Sequence, residues 1–297
     1  MPEPLFLLSP GRSFSSVVST MIGEHPQCYG LPELKIFSAD TIGASWEKES
    51  RPGSWPMQGL KRTVAELQFG EQTDKTVDAA EAWIRERFDW SGRQMMDWFQ
   101  EQVGDRILLD KSPANTENGA NLGRIVKAFP RANFLLLLRH PRPRGKSQYS
   151  TISKVLDKNG IGGMGFEPDV EWKWTGTNIM ARQLGQDLAL GQFMHIKGED
   201  LLREMDLYLP QICQWLGIRD DAEAIEAMRH PERSPYATLG PVKAQHGNNG
   251  KFLKGPALDF ERLATMPEAS RDGPLDWDET AEFTPQTRRL AHAFGYR

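Results

Sequence analysis

The chain has 297 residues, 39% of them hydrophobic and 26% charged, with a formal net charge of -4. That length and apolar content suffice for one large α/β core, and the acidic balance excludes the basic footprint of a bulk nucleic-acid binder, leaving room only for local basic pockets around small anions. Two cysteines, Cys28 and Cys213, are too few for a disulfide framework and stand at no metal-ligand spacing, so they read as small buried side chains in a reducing, cytoplasmic compartment.

The N-terminal stretch has no basic region and only four consecutive apolar residues, Leu5 to Leu8. It predicts a buried strand and not a signal peptide, and no run long enough for a membrane span follows. Ser9 to Ser13 reads as a turn, and the spacing of Val17, Val18, Met21 and Ile22 as the core face of a helix. A strand, a tight loop and a helix start aim backbone N–H groups and a positive helix end at one point. Arg12, Ser13, Ser15 and Ser16 add a guanidinium and hydroxyls there, so a phosphate-like anion suits the spot, although a well-capped helix has the same composition. No Walker A pattern occurs, which argues against an ATPase or GTPase.

His25-Pro26 closes this unit, Cys28-Tyr29-Gly30 predicts a second short strand, and Glu33 falls near the carboxyl edge of a parallel sheet, where α/β proteins bind ligands. Residues 41–60, rich in Ser, Gly, Pro and Trp, read as an irregular insertion. Helical periodicity returns from Lys61 to Phe69 and from Asp78 to Gln102, with Trp83, Phe88, Met95, Met96, Trp98 and Phe99 as core or cleft wall. Arg106 to Leu109 predicts a strand, Asp110-Lys111-Ser112-Pro113 a turn, then a helix to about Phe129 and the strand Asn133 to Leu138, in a right-handed parallel crossover. Four cations follow, Arg139, Arg142, Arg144 and Lys146, a cluster that reads as an anion pocket, with a solvated basic turn as the alternative. Residues 156–170, with four glycines, predict a mobile loop that could cover an acceptor. A helix over Val170 to Leu190, a buried strand over Phe193 to Ile196 containing His195, helices over Leu201 to Leu216 and Asp221 to Met228, a nucleotide-closing stretch over 231–255, and a last helix from Pro285 to Phe294 complete the chain. We find no internal repeat, and residues 1–297 read as one domain.

Several of these residues carry a family resemblance. Arg12-Ser-Phe-Ser-Ser after the first strand resembles the 5′-phosphosulfate loop of PAPS-dependent sulfotransferases, whose bacterial form is Arg-Ser-Gly-Ser/Thr-Thr/Ser. Arg139 with Ser147 eight residues later is similar to their 3′-phosphate motif. Gln245-His-Gly-Asn-Asn-Gly-Lys-Phe-Leu-Lys254 resembles their C-terminal Arg-Lys-Gly-x-x-Gly-Asp-Trp-Lys signature. The resemblance implies a P-loop-like parallel β-sheet flanked by helices, and transfer of a sulfuryl group from PAPS to an acceptor hydroxyl without a metal. It puts Arg12, Ser13, Phe14, Ser15 and Ser16 on the phosphosulfate, Arg139 and Ser147 on the 3′-phosphate, and His246, Gly247 and Lys251 over the nucleotide. Phe14 departs from the family's Gly, which implies either that the backbone there needs no positive φ or that the ring packs beneath the loop. Gln245 and His246 replace Arg-Lys, with Lys243 or Lys251 as compensating cations.

Glu33 lies 21 residues after Arg12, the offset of the catalytic Glu in tyrosylprotein sulfotransferases, which the region around His25-Pro26 resembles. The resemblance makes Glu33 the base, Lys35 a helper on the substrate side, and Lys111 and Arg12 the cations that offset charge in the transfer. His140 reads as structural; His25 reads as helix-terminating packing and His195 as part of a buried strand, and both stay as alternative bases because many sulfotransferases use His in that role. The acceptor is expected to be a small molecule, with a carrier-bound or amine acceptor as alternatives. A P-loop-fold small-molecule kinase and a non-enzymatic nucleotide-binding module are the rival readings.

Overall fold

Five short apolar segments organise the molecule: β1 (Leu5–Leu8), β2 (Cys28–Gly30), β3 (Ile107–Asp110), β4 (Asn133–Leu138) and β5 (Phe193–Lys197). They pair in the order β2-β3-β1-β4-β5, and every pairing is parallel. This computed structural model describes residues 1–50, 56–158 and 169–297. Residues 159–168 of the expected lid and 51–55 of the expected insertion lie outside the described residues.

Alternation along β1 and β4 divides the core in two. Phe6, Leu8, Phe134, Leu136 and Leu138 face one apolar layer, and Leu5, Leu7, Leu135 and Leu137 face the other. Burial on both faces explains why these strands read as continuous apolar runs. The first layer is closed by α2 (Ile42–Glu49), α3 (Gln58–Phe69), α4 (Asp74–Arg85), α5 (Gly92–Val103), α6 (Gly119–Ala128), α8 (Val170–Asp187) and α14 (Pro285–Ala293). The second is closed by α1 (Ser15–Gly23), α9 (Gly198–Arg203), α10 (Met205–Leu216), α11 (Ala222–Met228) and α13 (Phe260–Ala264). Two further helices, α7 (Pro141–Lys158) and α12 (Gly250–Lys254), border the carboxyl edge of the sheet. Because β1 lies between β3 and β4, the chain leaves the sheet in different directions from neighbouring strand ends, and that opens a crevice at their C-termini.

Several expectations are corrected. The region from residue 41 is not irregular throughout: Thr41 accepts a hydrogen bond from the Ala44 N–H and caps α2. The helical stretch expected from Asp78 to Gln102 is two helices. Residues 86–91 break it because the carbonyls of Phe88 and Trp90 accept from Gly43 and Ile42, while Ser91 and Gln94 form a capping box that restarts the helix as α5. β5 is an edge strand, and His195 is exposed on it where a buried position was expected. The aromatic and Met residues of α4 and α5 join the first core layer as expected, with Met95, Met96 and Phe99 fully inside. Among the described residues no helix is long and apolar enough to cross a membrane.

Candidate active site

The loop from β1 into α1 bends sharply: Arg12 and Phe14 both take left-handed backbone, φ 74° and 61°, a conformation non-glycine residues adopt at some cost. Phe14 is the N-cap of α1 and offers no side-chain hydrogen bond to the helix. Helices α4 and α5 begin under capping boxes, whereas the first N–H groups of α1 stay available at the positive end of its dipole. They border a cavity of about 720 Å³ lined by Gly11 to Val17, Glu33, Pro113, Arg139, Ser147, Asn248, Asn249 and Lys251, with Leu258, Leu263 and Met266 as apolar wall. That volume suits a nucleotide-sized ligand.

Buried donors at the cavity are incompletely matched. The Ser13 hydroxyl and the Arg139 Nε find no hydrogen-bond partner among the described residues. Burial lowers the pKa of both Arg12 and Arg139, because a guanidinium withdrawn from water loses solvation that an anion would restore. The Arg12 Nε donates to Ser147 Oγ at 3.1 Å, which ties the loop to α7. Arg139 donates from Nη1 to the Arg12 carbonyl at 2.6 Å and lies over the Phe14 ring at 4.2 Å. Of the two explanations offered by the sequence for Phe14, the first is overturned, since its φ is positive. The second holds: the ring packs under Arg139 and against Gly198, where a Cβ would come within 2.8 Å of it.

The basic cluster after β4 is corrected. Arg142 donates to the carbonyls of Ser270, Asp272, Gly273 and Pro274, and Lys146 pairs with Asp276. Arg144 is fully buried and donates to the carbonyls of Gly11 and Val170. These three cations are held by carbonyls and by Asp276, although the buried Arg144 Nη2 keeps no partner among the described residues, and only Arg139 of the four lines the cavity.

Lys111, at the end of β3, is 1% exposed and gives its three N–H bonds to Glu33 Oε1 at 2.7 Å, Asn248 Oδ1 at 2.9 Å and Ser16 Oγ at 3.2 Å. It thus joins the expected base to the anion loop. Behind it, Asp110 is wholly buried and accepts from Ser112 and Asn115; desolvation raises its pKa to about 6. Ser112 Oγ in turn accepts from the Lys35 N–H, fixing the left-handed turn at Lys35, φ 61°, just after Glu33. The Lys35 ammonium pairs with Glu49 at 2.7 Å, and Lys35 is not among the cavity walls.

Of the C-terminal motif, Lys251 lines the cavity, whereas His246 and Gly247 are not among its walls. The His246 N–H donates to Gln58 Oε1 and its carbonyl accepts from Arg62. The Gly247 carbonyl accepts the Glu33 N–H at 2.7 Å. Lys243 pairs with Asp78, away from the cavity. His25 is buried and its Nε2 meets the Arg219 carbonyl, and His140 is buried against Tyr296, so both are packing residues as expected.

Sequence reasoning missed Asn248, Asn249 and Gly59. A Cβ on Gly59 would lie 2.2 Å from the Glu33 carbonyl oxygen, and one on Gly247 would lie 2.9 Å from the Gly59 Cα. Glycines at both positions let three backbones meet around Glu33. Asn248 and Asn249 occupy the variable positions of the Gly-x-x-Gly motif, where the pattern itself carries no chemical signal.

At the strand ends of this parallel α/β sheet, an uncapped helix start, unmatched guanidinium and hydroxyl donors and a Glu–Lys pair come together around one cavity suited to an anion. Residues 4–222 match the family model described as "Sulfotransferase family", and the chain belongs to that family; it is a PAPS-dependent sulfotransferase. Its fold is similar to that of the "Sulfotransferase Domain from the Curacin Biosynthetic Pathway", at 23% identity and a TM-score of 0.78, covering 100% of this chain and 99% of that one. It is also similar to the "Sulfotransferase Domain from the Synechococcus PCC 7002 Olefin Synthase", at 22% identity and a TM-score of 0.72, covering 100% and 97%. No curated protein sequence matches the chain. The family match sets aside the kinase and the non-enzymatic readings.

Proposed function

We propose that the protein transfers the sulfuryl group of PAPS to the hydroxyl of a small-molecule acceptor, with Glu33 as base. The observation that carries this reading is the Glu33–Lys111–Ser16 chain, with links of 2.7 and 3.2 Å, because it sets a proton acceptor and a buried cation beside the anion loop. Glu33 removes the acceptor proton as the acceptor oxygen bonds to sulfur in line with the breaking S–O bond. As Glu33 loses its charge, the Lys111 N–H that it held turns to the bridging oxygen, which takes the electron pair and leaves with PAP. Ser13 to Ser16 and Arg12 hold the phosphosulfate through hydroxyl, guanidinium and helix-start N–H donors, and Arg139 and Ser147 hold the 3′-phosphate. Lys251 borders the nucleotide side of the cavity. His246 and Gly247 act from outside the cavity walls, and Lys35 shapes the turn that carries Glu33.

A carrier-bound acceptor is a second reading, favoured by the two similar structures being domains of a biosynthetic pathway and of an olefin synthase. Calorimetry with PAP and with Mg-ATP tests the nucleotide assignment: PAP is expected to bind and Mg-ATP to give no heat. Binding of Mg-ATP in preference to PAP would overturn it.

A further inference from the structure

The segment 247–249 touches Glu33, Lys111 and Ser16 of the proposed machinery. The Gly247 carbonyl accepts the Glu33 N–H, Asn248 Oδ1 accepts from Lys111, and the Asn249 N–H donates to Ser16 Oγ at 3.2 Å. A lysine ammonium has three donors and no acceptor, so the amide must turn its oxygen toward Lys111, and its Nδ2 then faces the Tyr236 carbonyl. Of the three acceptors around Lys111, one changes during turnover and a second serves the anion. Glu33 loses charge when it takes the acceptor proton, and the Ser16 hydroxyl, which already accepts from both Lys111 and Asn249, keeps its own hydrogen for the anion. The amide of Asn248 neither titrates nor belongs to the anion loop, so its hold on the ammonium is constant through the reaction.

We infer that Asn248 is a positioning residue for Lys111, keeping the ammonium at the leaving-group side when Glu33 becomes neutral. This rests on the proposed roles of Glu33 and Lys111.

The test measures PAP release from PAPS with water as acceptor, PAP affinity by calorimetry, and acetylation of Lys111 by acetic anhydride in the PAP-bound full chain. Asn248→Ala is expected to slow PAP release roughly 10- to 100-fold, as loss of one hydrogen bond to a charged group predicts. PAP affinity should stay at the wild-type level, and Lys111 should label faster. Asn248→Asp restores the oxygen acceptor: it should recover turnover and Lys111 protection, while its added negative charge weakens PAP binding. Wild-type turnover in Asn248→Ala, or turnover and PAP affinity falling in parallel in both variants, overturns the inference. Equal Lys111 labelling in wild type and Asn248→Ala does so as well. Failure of the functional reading is separate: the wild type would then not bind PAP, and Lys111 labelling of the free chain would still decide whether Asn248 holds it.

Discussion

Two basic loops leave the carboxyl edge of the sheet, one after β1 and one after β4, and they look alike in sequence but differ in what their cations do. After β1, the single guanidinium of Arg12 and the hydroxyls of Ser13, Ser15 and Ser16 border the cavity, beside a helix start that no side chain caps. After β4, four cations occur within eight residues, yet Arg142, Arg144 and Lys146 reach carbonyls and Asp276 and none of the three lines the cavity. An anion site is therefore made by the donors that face the cavity, and the number of cations in a loop does not report it.

The sharpest way to break that contrast is at its chemical end. Lys111→Ala removes the cation that links Glu33 to the anion loop, and is expected to lower sulfuryl transfer by about 10²–10⁴-fold while PAP still binds; turnover on radiolabelled PAPS measures it. Next in size is a paired comparison within the second loop. Arg139→Ala should weaken PAP roughly 10- to 100-fold in calorimetry. Arg142→Ala should leave PAP affinity alone and cost about 1–3 kcal/mol of stability through orphaned carbonyls. Equal losses of PAP affinity in the two variants would erase the distinction between the loops.

A third prediction concerns the residue between those arginines. Burial, aided by the nearby Arg142 charge, lowers the His140 pKa from 6.5 to about 4. The unfolded chain takes up its proton first as pH falls, so the stability this ring contributes is full above 6.5 and is lost between 6.5 and 4. His140→Gln should flatten the pH dependence of thermal unfolding in that window by about 1–3 kcal/mol; an unchanged difference between variant and wild type across it would contradict the burial argument. The smallest effect is at Phe14. Phe14→Gly relieves the left-handed backbone but loses the ring under Arg139, so stability should change by less than about 1 kcal/mol and PAP affinity should fall roughly two- to fivefold.

What the sequence revealed and what it hid divide along the same physical line. The strands β1 and β4 were legible because burial on both faces leaves an unbroken apolar run, and the start of α1 because a strand, a Ser-rich turn and an apolar stripe follow each other closely; that no side chain caps this helix was not legible. Glu33, Lys111, Arg139 and Ser147 came from the family resemblance, and all of them border the cavity or form its buried pair. The break between α4 and α5 was hidden, since the carbonyls of Phe88 and Trp90 that accept from α2 leave no mark in helical periodicity. The exposure of His195 was hidden too, because the place of β5 at the sheet edge is set by strand pairing, which the strand's own residues do not report. Asn248 was invisible for a further reason: its partner Lys111 is 137 residues away, and only the fold brings the amide to the ammonium.

The most direct test of the central claim follows the label of ³⁵S-PAPS into hydroxyl-bearing acceptors, small-molecule and carrier-bound, with wild type and Glu33→Gln side by side and PAP affinity checked in both. The account predicts transfer by the wild type, transfer lowered by about 10²–10⁴-fold in Glu33→Gln, and equal PAP binding. Equal transfer by the two proteins would contradict Glu33 as the base.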